Sequence, residues 1–339
     1  MQGERTAIRL NLTPGSRESY VDETIGRGSM KRFVVLTTTV LVAAMGLASH
    51  AASAKPPGQN GRILFVQDTK DCDDCISKSI EPDGTGTIKL PGSAGRYSPD
   101  GTRIMAGTET ADHRLGTLVM NADGSDVTVL PIPDPTLFMP CAQWSPDGEK
   151  LLCEGWDETN PDRLPGLFTI DSSDGSHLTR LTTNTLGGHD IPGDFSPDGS
   201  RIVFLREDPG HGRGALALFV ANADGSDPHR ISGWKNGSAC CQASWSPDGS
   251  RILFAFQGRL RTIRPDGTSI KTIKVDSGAQ FYFLANPTWS PDGTRIAFVM
   301  WTSNTGEFDL FTVAADGSDL RQLTDTHREE GFPDWGTAP

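Results

Sequence analysis

Trp144-Ser145-Pro146-Asp147-Gly148 is one of five copies of a single pattern, the others being Tyr97–Gly101, Phe195–Gly199, Trp245–Gly249 and Trp289–Gly293. Each is an aromatic residue followed by Ser-Pro-Asp-Gly, and a short apolar run such as Arg201-Ile202-Val203-Phe204-Leu205 follows at once. Proline presets φ for the first central turn position, aspartate tolerates the second, and glycine takes the left-handed conformation that a Cβ makes costly. The pattern therefore reads as a strand, a tight turn and a returning strand, with a three-residue loop ending in a glycine bulge. The serines stand at 98, 145, 196, 246 and 290, and a period of about 45 to 50 residues is that of a repeat architecture.

A second hairpin recurs inside each repeat. Asn121-Ala122-Asp123-Gly124-Ser125-Asp126, Asn222-Ala223-Asp224-Gly225-Ser226-Asp227 and Ala314-Ala315-Asp316-Gly317-Ser318-Asp319 are near copies, and shorter versions surround Gly84, Gly175 and Gly267. Asp-Gly between apolar runs is a strong hairpin signal. One repeat thus holds four strands, the content of one β-propeller blade. The last aromatic, in Phe332-Pro333-Asp334-Trp335, has no returning strand, whereas the first apolar strand, Asn60 to Phe65, has no aromatic strand before it. A propeller must close to leave no sheet edge exposed, so the expected fold is all-β, a six-bladed propeller whose C-terminal strand completes the first blade.

On these residues the chain resembles the six-bladed propeller of the TolB family, whose WD40-like repeat is written around Trp-Ser-Pro-Asp-Gly and Ile-Ala-Phe. Trp289 to Phe298 carries the pattern nearly residue for residue, and the resemblance spans residues 61–336. It implies a fold more than a function, because the repeated residues make turns and fill the gaps between blades. Trp144, Trp245, Trp289 and Trp335 are expected to be packing residues, and the serines turn residues rather than nucleophiles. TolB resembles a two-domain protein with an α/β domain ahead of the propeller; here only Lys55–Asn60 is expected to separate the signal cleavage site from the first blade, which argues against the envelope-docking role that the family implies.

Gly (38) and Pro (23) suit an all-β chain rich in turns. The formal net charge of −12 argues against a phosphate backbone as partner, and no nucleic-acid binding is expected. Met30-Lys31-Arg32, the apolar run Phe33 to Ala48 and the small residues Ala52-Ser53-Ala54 have the layout of a secretory signal peptide, Met30–Ala54. The run is shorter than the ~20 residues that span a bilayer, so after cleavage the protein is not expected to be integral to the membrane. Residues 1–29 read as a leader ahead of the true start, and the exported product as a monomer that is secreted or held in the periplasm or envelope.

Six cysteines suit an exported chain. A three-residue hairpin loop places Cys141 opposite Cys153, predicting a bridge that contributes up to ~3 kcal/mol. Cys72 with Cys75 and Cys240 with Cys241 read as local bridges rather than redox centres or a zinc site, because no thioredoxin-like pattern surrounds them.

The strand order separates two faces. One carries the short, uniform Ser-Pro-Asp-Gly and Asp-Gly hairpins; the other carries the variable loops and the links between blades, where binding usually resides. The candidates there are Asp112, His113 and Arg114; Trp156, Asp157 and Glu158; His189 and Asp190; Asp208, His211 and Arg213; Glu307; and His327, Glu329 and Glu330. The hairpins lack the distal bidentate glutamate of a calcium loop. Nucleophile elbow, zinc helix, phosphate loop and dinucleotide fingerprint are all missing from the sequence, so no residue is named catalytic and no cofactor is expected. The favoured reading is an exported binding module for a protein, peptide or glycan. The alternative is a metal-assisted polysaccharide lyase or hydrolase, which requires at least three of His113, His189, His211 and His327 to converge on a divalent ion at the channel mouth.

Overall fold

The computed structural model describes residues 58–68, 75–110, 113–160, 162–236, 242–278, 282–303 and 306–338. Residues 1–54, where a leader and a signal peptide are expected, lie outside them, as do Cys72, Cys240, Cys241 and Asp112. The described residues form six antiparallel sheets of at least four strands, the blades of a propeller, and their helical content is one 3-10 turn at Pro209–His211.

Blades 2 to 6 follow the chain, each beginning with the strand that ends in the aromatic: Ser93–Tyr97, Cys141–Trp144, Asp190–Phe195, Ala243–Trp245 and Tyr282–Trp289. Blade 1 is assembled from both ends of the repeat region. Glu330–Thr337 pairs antiparallel with Asn60–Gln67, which pairs in turn with Ile76–Ile80 and Ile88–Leu90. The indole N–H of Trp335 donates to the Gly61 carbonyl at 3.0 Å, and the Ala338 N–H donates to Gln59 at 2.9 Å. Ring closure by the C-terminal strand is thus built from backbone pairing and a buried aromatic.

The core is divided among the gaps between blades. Six buried clusters fill them, and each contains one of the repeat aromatics, in ring order Trp335, Tyr97, Trp144, Phe195, Trp245 and Trp289. The arginine that opens a second strand reaches over the aromatic of the next blade: Arg103 lies 4.7 Å from the Trp144 ring centre and Arg201 4.8 Å from that of Trp245. A cation over a π face adds to the apolar contact at each of these two gaps.

Cys141 and Cys153 are joined by a disulfide across neighbouring strands, but the register that brings them together differs from the expected one. The Ser-Pro-Asp-Gly loops are four residues long: Ser145 N–H donates to Lys150 O at 2.9 Å, and Trp144 faces Leu151. The extra residue sits instead in the strand, as a bulge at Ala142, beyond which Cys141 faces Cys153. The aromatic-bearing strands of blades 1, 2, 4 and 6 break register in the same way. Such bulges bend a strand and sharpen its twist. Blade 4 also departs from four strands, because Lys235–Asn236 adds a short fifth against Ala215–Asn222.

Candidate functional site

The two faces differ in how their polar groups are used. On the hairpin face each serine closes its own turn. Ser196 Oγ donates to Asp198 Oδ1 at 2.5 Å and accepts from Arg201 N–H at 2.9 Å, and Ser98, Ser145, Ser246 and Ser290 repeat the arrangement. These hydroxyls are engaged within their own turns, as donors to the aspartate and acceptors from a backbone N–H. A cleft between blades 2 and 3 on this face is lined by Arg103, Asp147, Lys150 and Asp171. Its charges pair internally: Asp171 accepts from Lys150 and, at 2.6 Å, from His177, which hold its carboxyl down at about 2.

On the opposite face the loops are long and braced. The Arg114 guanidinium donates to the carbonyls of Pro135 and Leu137 at 2.8 and 3.2 Å, fixing the link between blades 2 and 3. Arg163 pairs with Asp134 on that link and approaches Asp157 at 3.6 Å. The Asp157 carboxylate also accepts from Thr159 N–H, Thr159 Oγ1 and Asn160 N–H, so it caps its own loop. Asp190, fully buried, takes Arg206 through two hydrogen bonds of 2.7 and 2.6 Å and Thr182 Oγ1 at 2.7 Å. Asp208 caps the 3-10 turn and accepts from His211 at 2.6 Å, while His211 stacks on Trp234 with ring centres 4.9 Å apart. Glu330 is buried in the closing strand, where Gln67 Nε2 and Thr326 Oγ1 each donate to it at 2.7 Å. Arg114, Asp157, Asp190, Asp208 and Glu330 therefore hold the scaffold together.

His113, Glu158, Arg213, His327 and Glu329 are exposed on this face. Desolvation of its carboxyl and the neighbouring charges of Glu307 and Asp68 push the pKa of Glu329 upward. The candidate histidines do not converge. His113 pairs with Glu109, His189 with Glu154 and His211 with Asp208, each in its own sector, and among the described residues no group of three or more His, Cys, Asp and Glu side chains could hold a metal ion.

Between blades 3 and 4 several side chains do come together. Phe138 and Trp156 form an isolated antiparallel bridge, with N–H to O distances of 2.9 and 3.1 Å. Their rings stack at 5.7 Å with 14° between planes. His189 meets Trp156 edge-on at 5.8 Å and bonds Glu154 through Nδ1 at 2.5 Å. Burial alone would lower the pKa of His189, but the Glu154 contact and the charges of Glu154, Glu207 and Asp190 outweigh it and raise the value.

The residues immediately before the repeat aromatics form a site that the sequence reading passed over. Arg96, Gln143, Asp194, Ser244, Thr288 and Asp334 occupy equivalent places in the six blades, and all are fully buried. Gln143 Nε2 donates to Asp194 Oδ1 at 3.1 Å, the Trp245 N–H to Asp194 Oδ2 at 3.0 Å and the Tyr97 N–H to Asp334 Oδ2 at 2.9 Å. Desolvation lowers Arg96 to about 10 against the pull of Asp334 in blade 1 and Asp194 in blade 4. Arg96 in blade 2 is thus a buried cation within electrostatic reach of carboxylates from blades 1 and 4. The signal was available: a polar residue one place ahead of each aromatic.

The family model for the TolB beta propeller domain matches residues 137–338. Among solved structures, the propeller is similar to TolB from Acinetobacter baumannii (TM-score 0.64, 16% identity, covering 82% of this chain and 67% of that one). It is also similar to a putative TolB from Agrobacterium tumefaciens (0.58, 17%, 81% and 92%) and to an oligogalacturonate lyase from Vibrio parahaemolyticus (0.51, 15%, 81% and 78%). At these identities the likeness is one of fold.

Proposed function

The chain belongs to the TolB beta propeller domain family, and we propose that it is an exported, non-catalytic binding module, acting as a monomer on a protein, peptide or glycan partner. The variable-loop face is the recognition surface. The observation that carries this reading is how the two faces spend their polar groups. The hairpin face satisfies its hydroxyls and carboxylates within its own turns, whereas on the other face Arg114 and Arg163 hold long, irregular loops rigid and leave side chains such as Trp156 and Glu158 presented to solvent. Rigid loops on a closed scaffold lose little entropy on binding. Export is supported by the Met30–Ala54 layout and by the Cys141–Cys153 bridge, which is suited to an oxidising compartment. The described residues contain no helix long and apolar enough to cross a membrane.

The test is affinity capture from the producing cell's own envelope and medium with three forms of the mature chain: wild type, His211→Ala with Glu158→Ala on the variable face, and Lys150→Ala with Asp171→Ala on the hairpin face. A partner retained by the hairpin variant and lost by the loop variant is the expected outcome. The reverse pattern would place recognition on the wrong face.

A further inference from the structure

The geometry points to a specific site on that face: the Phe138–Trp156 shelf, stapled by the Cys141–Cys153 disulfide, binds a cationic side chain, lysine or arginine, of a peptide or protein partner. This rests on the variable-loop face being the recognition surface and names the chemistry it selects.

Three observations carry it. The first is rigidity. Beyond the Ala142 bulge the hairpin of blade 3 keeps a single register: Cys141 faces Cys153, the Glu154 N–H donates to the Pro140 carbonyl at 3.1 Å, and Phe138 faces Trp156. The disulfide therefore lies three residues from each member of the aromatic pair on the same ladder, and it holds two otherwise irregular segments at the spacing that stacks the rings. Both rings stay only partly buried. A flat, pre-stacked, half-exposed aromatic pair is a platform whose ordering cost has already been met on folding.

The second is the sign of the charge around it. Glu158 Oε1 stands 3.5 Å from the Trp156 indole nitrogen and is exposed. Glu154, with 3% of its surface accessible, is paired with His189, and Asp190 with Arg206. The nearby cations are committed elsewhere: Arg206 to Asp190, Arg163 to Asp134, and Arg114 to backbone carbonyls. The exposed charge in contact with the tryptophan is thus that of a carboxylate, Glu158.

The third is the match between ring and ligand. The negative face of an indole attracts a cation, and it does so best where carboxylates lie within reach and part of the site is dry. A carboxylate-bearing segment would be repelled, and a neutral sugar would find the aromatic surface without using the charges.

The test is fluorescence anisotropy on the mature chain with three probes: a labelled peptide of alternating glycine and arginine, its glutamate counterpart, and a labelled neutral cello-oligosaccharide. Binding of the arginine peptide alone is expected, weakened about tenfold by Trp156→Ala and several-fold by Glu158→Gln, and lost in high salt. Removing the disulfide by Cys141→Ala with Cys153→Ala should weaken binding while the propeller's far-ultraviolet spectrum stays unchanged. Trp156→Phe serves as a folding control and should retain part of the affinity. Arginine-peptide binding that is unchanged in Trp156→Ala and Glu158→Gln but falls in His211→Ala would overturn the shelf and leave the face intact. Loss confined to Lys150→Ala with Asp171→Ala would overturn both. Preference for the oligosaccharide, weakened by Trp156→Ala, would overturn the cationic specificity.

Discussion

Ser196 illustrates what a repeated turn residue contributes. Its hydroxyl accepts from Arg201 N–H and donates to Asp198, so Ser196→Ala leaves a turn carboxylate short of one donor and a strand N–H short of one acceptor. The expected cost is about 1–2 kcal/mol in urea unfolding, with no change in ligand affinity. The hydrogen bonds from Ser196 and Ser200 depress Asp198 to about 2. Because its folded pKa lies below the unfolded value near ~3.9, its contribution is present above that pH and is lost as pH falls towards 2. His189 behaves in the opposite sense: its raised folded pKa contributes stability that is present below the unfolded value near ~6.5 and lost as pH rises through the folded one. An NMR titration should find His189 above its ordinary value in the wild type and lower in Glu154→Gln; equal values would sink the pairing. The turn residues were legible in the sequence because proline and glycine have few conformational alternatives. The buried polar residues ahead of the aromatics were harder to see, since an inner strand covered on both sides shows no apolar–polar alternation.

At the scale of elements, the closing strand concentrates the most interactions between distant parts of the chain. Glu330–Thr337 contributes Trp335 to one inter-blade core and Asp334 to the axis. It also packs so tightly that a Cβ built on Gly101, whose φ is +73°, would stand 2.2 Å from the Thr337 carbonyl oxygen. Deleting residues 331–339 should lower the melting temperature of the whole propeller in one cooperative transition, and an unchanged melting temperature would refute closure. The seam also carries a pH dependence. Desolvation and the neighbouring Glu330 push Asp309 upward despite the bond from Thr326 N–H. A raised carboxyl pKa means stability that is present at low pH and lost as pH rises through the folded value. Asp309→Asn should therefore stabilise at pH 8 and make little difference at pH 4, as measured by thermal melts at the two pH values. Closure could be read from two incomplete repeats, but the strand bulges could not. In blades 2, 6 and 1 the left-handed residue of the bulge is Ala94, Asn286 and Phe332, with φ of 50°, 52° and 54°, none of them a glycine, whereas the blade 4 bulge falls at Gly193. The Cys141–Cys153 pair was reached from the sequence by placing the extra residue in the loop rather than in the strand.

The described residues form a ring of six blades whose gaps are filled by six aromatics, whose innermost strands carry one buried polar residue each ahead of the aromatic, and whose two faces differ in kind. The division of faces follows from strand order, so it was visible in the sequence. Which loop residues brace and which present was not, because bracing depends on contacts such as Arg114 to Pro135 that cross from one blade to the next link. The most direct measurement of the central claim is hydrogen exchange on the mature chain, alone and with its captured partner. Protection confined to residues 131–140, 156–165 and 183–189, with the Ser-Pro-Asp-Gly hairpins unchanged, is the predicted result; protection of the hairpins with those loops unchanged would contradict it.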